Sequence, residues 1–349
     1  MEVKEFLVRL SETPRVSGRE SAGAEAVTEA FSEYLSDVRT DKLGNVVGIK
    51  KGNGKGKLML AAHMDEIGLM VSGIDEKGFV GFVTIGGVDF RVLPAQEVWI
   101  HGSKKVFGVI GHKPPHLTSP EDRKKPIKIE DLKIDTGYSP EKINTLVRVG
   151  DIITINAKTH HLKNNKLAGR SLDDAAGVAA LYSAMKRLRD VKHDLDIYFI
   201  ATSQEEIGGN GGIISAYGIE PDLAIAVDVG FAKTPELDES DTIEMGKGPA
   251  IGIGPGIHPK MFALLKKCAK GAGVKYQTDV YPTWTGTDAD DIFISRAGVA
   301  TGLLSIPLKY MHTPVETVLP DDIEETGRLI AEFIKTFNDS DVEEELRLC

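Results

Sequence analysis

Four short apolar runs in this chain each lead into a histidine or an acid, and that pattern limits the folds open to it. Lys57-Leu58-Met59-Leu60-Ala61-Ala62 leads to His63, and Ile197-Tyr198-Phe199-Ile200-Ala201-Thr202 leads to Glu206. Leu223-Ala224-Ile225-Ala226-Val227 leads to Asp228, and the run from Gly302 to Pro307 leads to His312. Runs of this length and composition read as strands buried on both faces, the kind found in parallel sheets covered by helices. Strands that end in ligand-type residues place them at the carboxyl edge of the sheet, where open α/β folds hold their sites.

The segments between the runs support this fold. Helical spacing covers Val3–Leu10, Ser21–Ser36, Asp173–Asp190, a short piece near Ile213–Tyr217, Lys260–Gly271, Asp288–Arg296 and Ile323–Phe337. Strands are expected over Leu58–Ala62, Asp194–Thr202, Asp222–Val229, Val274–Val280 and Val299–Ile306, with a hairpin over Arg39–Lys50 turning at Leu43-Gly44-Asn45. Between Met70 and Leu167 helical spacing is nearly absent. Short β-type pieces recur there at Leu69–Ile74, Phe79–Ile85, Glu97–His101, Lys105–Ile110 and Leu146–Ile155, and the polar stretch His116–Lys128 reads as an exposed loop. The expected architecture is an α/β layer, mostly parallel sheet flanked by helices, built from 1–69 and 168–349. A small β-barrel-like module over 70–167 is inserted into it.

A chain of 349 residues is natural for two such domains. A net charge of −10 with no basic cluster excludes a nucleic-acid surface. No apolar run approaches a membrane span, and Met1–Phe6 lacks the apolar core of a signal peptide. Two cysteines, Cys268 and Cys349, offer no disulfide framework and no thiolate metal site. The expected location is the cytoplasm. Gly252-Ile253-Gly254-Pro255-Gly256 lacks the lysine and spacing of a phosphate loop and reads as a tight loop.

The chemistry starts from five residues in the order His63, Asp173, Glu206, Asp228, His312. Two imidazoles with three carboxylates suit Zn²⁺ or Co²⁺ better than Ca²⁺ or Mg²⁺. On a strand or its extension His63 and Asp65 point to the same side. A carboxylate there can accept the ring N–H of a metal-bound imidazole, although a strand-end histidine beside a surface acid explains the pair equally well. Asp173-Asp174 opens a helix, and ordinary capping would account for it alone. Glu205-Glu206 follows a buried strand, where two ionised carboxylates are hard to explain by packing. One can ligate while the other moves a proton, which makes Glu206 the ligand and Glu205 the general base and acid.

Several stretches together resemble the tetrahedral (TET) aminopeptidases, dinuclear metallopeptidases also described as glutamyl aminopeptidase or cellulase M-like. They are Ala61–Gly68, Gly86-Gly87-Val88-Asp89, Leu172-Asp173-Asp174, Gln204–Gly208, Ala226–Val229, Gly286–Ala289 and Tyr310–Glu316. The resemblance implies two divalent ions per subunit, bridged by Asp173. His63 and Asp228 would complete one position, and Glu206 and His312 the other. Asp65 would support His63, and the Asp173–Asp174 peptide would be cis. It also implies short peptide substrates, a β module that pairs subunits, and twelve subunits closing into a hollow tetrahedron. The residues alone leave a two-carboxylate glycoside hydrolase and a metal-dependent deacylase as alternatives. The low aromatic content of 6% disfavours the glycosidase.

Two departures from the family bear on substrate choice. Trp284 precedes Gly286, Thr287 and Asp288 where relatives are glycine-rich, and Gly230 follows Asp228-Val229 where relatives carry threonine. An indole at 284 would fill or wall the pocket for the first side chain, favouring glycine or alanine. Asp290-Asp291, at a helix start, would be solvated or capping.

Overall fold

The computed structural model describes residues 1–337 except 118, 120 and 122–126. Most of the polar stretch His116–Lys128, and Cys349, therefore lie outside the described residues. The chain begins with helices α1 (Val3–Glu12) and α2 (Ser21–Phe31), strands β1 (Asp37–Thr40) and β2 (Val46–Lys50), and β3 (Lys57–His63). Next come β4 (Gly68–Ile74), β5 (Val80–Ile85), β6 (Glu97–His101), β7 (Lys105–Gly111), β8 (Lys133–Asp135), α3 (Pro140–Leu146) and β9 (Ile152–Ile155). The remainder is β10 (His160–His161), β11 (Leu167–Gly169), α4 (Leu172–Arg187), β12 (Asp196–Thr202), α5 (Asn210–Ile219) and β13 (Leu223–Phe231). It continues with β14 (Ala250–Ile253), α6 (Pro259–Ala272), β15 (Gln277–Val280), α7 (Asp288–Phe293), β16 (Ala300–Lys309), β17 (Glu316–Val318) and α8 (Pro320–Thr336).

The large sheet runs β1-β2-β12-β3-β13-β16-β17-β11-β10, with β14 and β15 joined beyond β16. Its centre, β12, β3, β13 and β16, is parallel throughout. Alternation along β3 shows why apolar runs were needed. Leu58, Leu60 and Ala62 enter the core shared with α1, α4 and α8, while Met59 and Ala61 face Ala216 of α5 and Ile292 of α7. Helix α4 is buried all along Leu172–Met185, as a helix between a sheet and other helices must be.

Strands β4-β5-β8-β7-β6-β9 close into an antiparallel barrel. Along β7 every second residue is buried, and the interior is filled by side chains such as Val71, Phe82, Val98, Ile110 and Ile153. Closure gives each of these six strands a neighbour on both sides.

The differences from expectation are local. Leu146–Ile155 forms a strand only over Ile152–Ile155. The helix α3 precedes it, with the Ser139 hydroxyl accepting from the Lys142 amide at 3.4 Å and Pro140 in the first turn. Gly252 and Ile253 belong to β14, so the tight turn is confined to Gly254–Gly256. β10 pairs with β11 in the large sheet, so the chain returns to that layer before the expected boundary at 168.

Candidate metal centre

The parallel register brings the ligand-type residues to one edge. His63 is the last residue of β3 and pairs with Thr202 of β12. β13 pairs with β3 up to Ala226 opposite Ala61, so Asp228 lies level with His63 two residues on. Glu206 sits in the turn after β12, and His312 in the loop between β16 and β17. Asp173 opens α4, where Asp173 and Asp174 depart from helical geometry and their peptide bond is cis.

These side chains converge. His63 Nε2 is 3.0 Å from Asp173 Oδ1 and 3.9 Å from Asp228 Oδ1. His312 Nε2 is 3.5 Å from both Asp173 Oδ2 and Glu206 Oε2. Asp173 thus turns one oxygen to each histidine. Both rings are aimed from behind by backbone carbonyls: His63 Nδ1 is 3.2 Å from the Asp65 carbonyl and His312 Nδ1 is 3.1 Å from that of Gly87. That leaves each Nε2 facing inward. Gly87 is required here, since a Cβ would stand 2.7 Å from the His312 ring.

The site concentrates buried acids. Burial pushes Glu205 up to about 10 and Glu206 up to about 7, with neighbouring carboxylates adding to both. Asp228 and Asp174 are raised well above the ordinary range for the same reasons. Burial opposes charge on Asp173 too, but hydrogen bonds from His312 and His63 hold its carboxyl well below the usual range. Burial also works against a proton on His63, yet Asp173, Asp65 and Asp228 outweigh it. His312 rises to about 9, chiefly through Asp173.

Such a set fits divalent cations. One ligand atom each from His63, Asp173 and Glu206 lies within 4.8 Å of the others, and the same holds for His63, Asp174 and Asp228. Among the described residues Asp174 Oδ2 is buried with no hydrogen-bond partner, while its other oxygen accepts the Gly177 amide at 2.7 Å. A cation is the natural partner for such a cluster.

A cleft of about 450 Å³ opens over these groups, lined by all five residues together with Glu205, Gly230, Phe231, Tyr281, Gly286 and Thr287. The Asp65 carboxylate lies 3.6 Å from His63 Nδ1. Its closer contacts are the Glu205 and Glu206 amides at 3.0 and 3.2 Å and the Ser17 hydroxyl at 2.6 Å. Asp288 is buried at the start of α7, accepting from the Thr202 hydroxyl at 2.5 Å. Asp290 caps the Thr285 and Gly286 amides. Trp284 is 69% exposed and lies outside the cleft lining. Sequence reasoning missed Glu316, a buried acid whose oxygens accept the amides of Leu172, Asp173 and His312. It closes the Tyr310–Glu316 stretch of the resemblance, but nothing local in that stretch gives it a role.

The comparisons agree with this geometry. Residues 44–329 match the M42 glutamyl aminopeptidases. A lysyl aminopeptidase of Pyrococcus furiosus is 38% identical over 330 residues, covering 93% of this chain and 94% of that protein. The structure of a TET aminopeptidase from a marine sediment Thaumarchaeota archaeon superposes with a TM-score of 0.94 at 32% identity, covering 98% of each chain. The TET1 peptidase of Pyrococcus horikoshii, which can assemble into a tetrahedron or a large octahedral shell, superposes with a TM-score of 0.85 at 30% identity, covering 96% of this chain and 100% of that one. Peptide hydrolysis is thereby favoured over glycoside hydrolysis. The chain belongs to the M42 glutamyl aminopeptidase family and is an aminopeptidase.

Proposed function

We propose that the chain removes N-terminal residues from short peptides at a centre of two divalent cations, Zn²⁺ or Co²⁺. The observation that carries this reading is the split at Asp173, one oxygen toward His63 and the other toward His312. Asp173 would bridge, with His63 and Asp228 on one side and Glu206 and His312 on the other. Ions bound there polarise the scissile carbonyl and acidify the attacking water.

The chain's own residues supply the rest. Glu205 lines the cleft, and its carboxylate accepts no hydrogen bond among the described residues. It takes the proton of the attacking water and delivers it to the leaving nitrogen. Asp65, by accepting the Glu205 and Glu206 amides, fixes the direction in which both side chains leave the turn. Gly286 and Thr287 form the wall along which the substrate lies. Asp288 stands behind that wall, and Trp284 meets substrate only at the rim.

The subunits are proposed to assemble into a dodecameric tetrahedron, pairing through the barrel. Exposed Val83, Phe107 and Val109 on the barrel's outer surface support this, as does the assembly of the TET1 relative. Residence in the cytoplasm is part of the same proposal. No helix among the described residues is long and apolar enough to cross a membrane, and Cys268 is unpaired.

The test is a panel of amino-acid p-nitroanilides assayed with Zn²⁺ or Co²⁺ and after chelation. The expected result is turnover with two ions per subunit, lost on chelation and restored by metal. Full activity in metal-stripped enzyme would overturn the metal reading. Cleavage of N-acylated substrates only would move the activity to deacylation.

A further inference from the structure

We infer that Glu316 is a positioning residue that holds the Asp173 and His312 sides of the proposed centre at a fixed separation. The inference rests on the metal reading above. Asp173 and His312 come from elements far apart in sequence, and neither sits in regular structure that would fix it. Asp173 and Asp174 have non-helical backbone at the head of α4, and Tyr310 and His312 have φ of 60° and 62°, in the left-handed region. The amides at the head of a helix, and those of an irregular loop, have no partner of their own and must find one.

Glu316 supplies that partner for both segments. Its Oε2 accepts the Leu172 amide at 2.7 Å and the Asp173 amide at 3.1 Å. Its Oε1 accepts the His312 amide at 2.9 Å. The residue is 2% exposed, and among the described residues no lysine or arginine forms an ion pair with it. A buried carboxylate without a cationic partner is costly unless hydrogen bonds satisfy it. Here every such bond goes to a segment that carries a proposed ligand. One carboxylate thus ties the backbone of Asp173 to that of His312, and the 3.5 Å between Asp173 Oδ2 and His312 Nε2 follows from that tie. The rotation of the His312 ring is set separately by the Gly87 carbonyl. Glu316 touches no reacting atom and acts only through the two residues it anchors.

Glu316→Gln tests this with little change in shape. One oxygen becomes an amide NH₂, which cannot accept, so either His312 or the Leu172–Asp173 pair loses its acceptor. Full-length protein stripped of metal is titrated with Co²⁺ and followed by visible absorption, with far-ultraviolet circular dichroism to confirm the fold. The expected result is weaker binding of at least one ion. If the His312 amide loses its acceptor, one ion binds as in the unsubstituted enzyme and the other about 10–100-fold more weakly, the usual effect of losing a group that orients a ligand. If the Leu172–Asp173 amides lose theirs, both ions weaken, because Asp173 would serve both. A purely structural role would lower thermal stability and leave both affinities unchanged, and that outcome overturns the inference. If Glu316→Gln does not fold, Glu316→Asp keeps the charge on an arm too short to span both segments. It should weaken binding at least about tenfold, and unsubstituted affinity in that variant would equally overturn the inference. Failure of the unsubstituted enzyme to bind Co²⁺ at all would instead overturn the metal reading beneath it.

Discussion

The barrel and the rim of the large sheet treat buried charge in opposite ways. In the barrel, between Gly68 and Ile155, the one polar side chain buried among the described residues is Thr154, and it bonds to His101 at 2.9 Å. At the sheet edge, Asp65, Asp173, Asp174, Asp228 and Asp288 are all buried within a few strand ends of one another. The barrel is held by packing, which asks nothing of ligands. The rim accepts a large desolvation cost that its own hydrogen bonds only partly offset, as the unpartnered oxygens of Asp174 and Asp288 show. One module is built for stability and the other is organised around what binds there.

The sharpest way to test this contrast is to replace the acid proposed to move the proton. Glu205→Gln should lower kcat by about 10²–10⁴-fold, the usual effect of losing a general base. Both ions should stay bound, and the thermal midpoint should hold or rise, because an amide of the same shape replaces a largely buried carboxyl whose charged form burial disfavours. Near-normal kcat with full metal content would remove Glu205 from its role. Next in size comes metal occupancy. Asp173→Ala should lose both ions, and His63→Ala and His312→Ala should each lower occupancy less severely. Two ions per subunit in the Asp173 variant, counted by plasma mass spectrometry, would contradict the bridging assignment.

Much of this contrast was legible in the sequence, for identifiable reasons. β3, β12, β13 and β16 carry their signal locally, because a strand buried on both faces must be an apolar run. His63 and Asp228 were readable because each closes or nearly closes such a run. What escaped notice was set by distant pairing. Asp174 caps as its sequence suggests, accepting the Gly177 amide, but nothing local shows that its other oxygen is buried without a partner among the described residues. Asp65 does stand beside the His63 ring, its carboxylate 3.6 Å from Nδ1, but its local sequence does not show that the fold also brings it the Glu205 amide, 140 residues away. Nothing near Glu316 announces that it meets α4. β10, β11 and β17 are two or three residues long and leave no periodicity to read.

A cavity in the barrel probes the other side of the contrast. Ile153 is fully buried in the barrel core. Ile153→Ala should cost about 2–5 kcal/mol, from lost burial and the cavity left behind, read by chemical denaturation. Metal content and kcat per folded subunit should stay unchanged. A matching loss of bound metal would show that the barrel and the rim are energetically coupled rather than separate in role.

The smallest effects concern the cleft walls, where an apolar side chain and a glycine stand beside the charged rim. Gly230 lines the cleft, and a Cβ there would meet Ser305 Cβ at 3.0 Å and Ile243 Cδ1 at 3.1 Å. Gly230→Ala presses on the residues behind the wall, and if the wall yields toward the cleft it should shift the kcat/KM ratio of leucine to alanine p-nitroanilide toward alanine by about tenfold, the scale at which pockets discriminate a methylene or two. Trp284 differs. An indole filling a side-chain pocket would be buried against the residues that form it, whereas Trp284 is 69% exposed and off the lining. Exposed substitutions of this kind rarely exceed about 0.5 kcal/mol. Trp284→Gly should therefore change the same ratio by less than about threefold. If it instead opens the enzyme to leucine by tenfold or more, the indole folds over the cleft when substrate binds, and the rim carries an apolar element that its charged floor does not suggest.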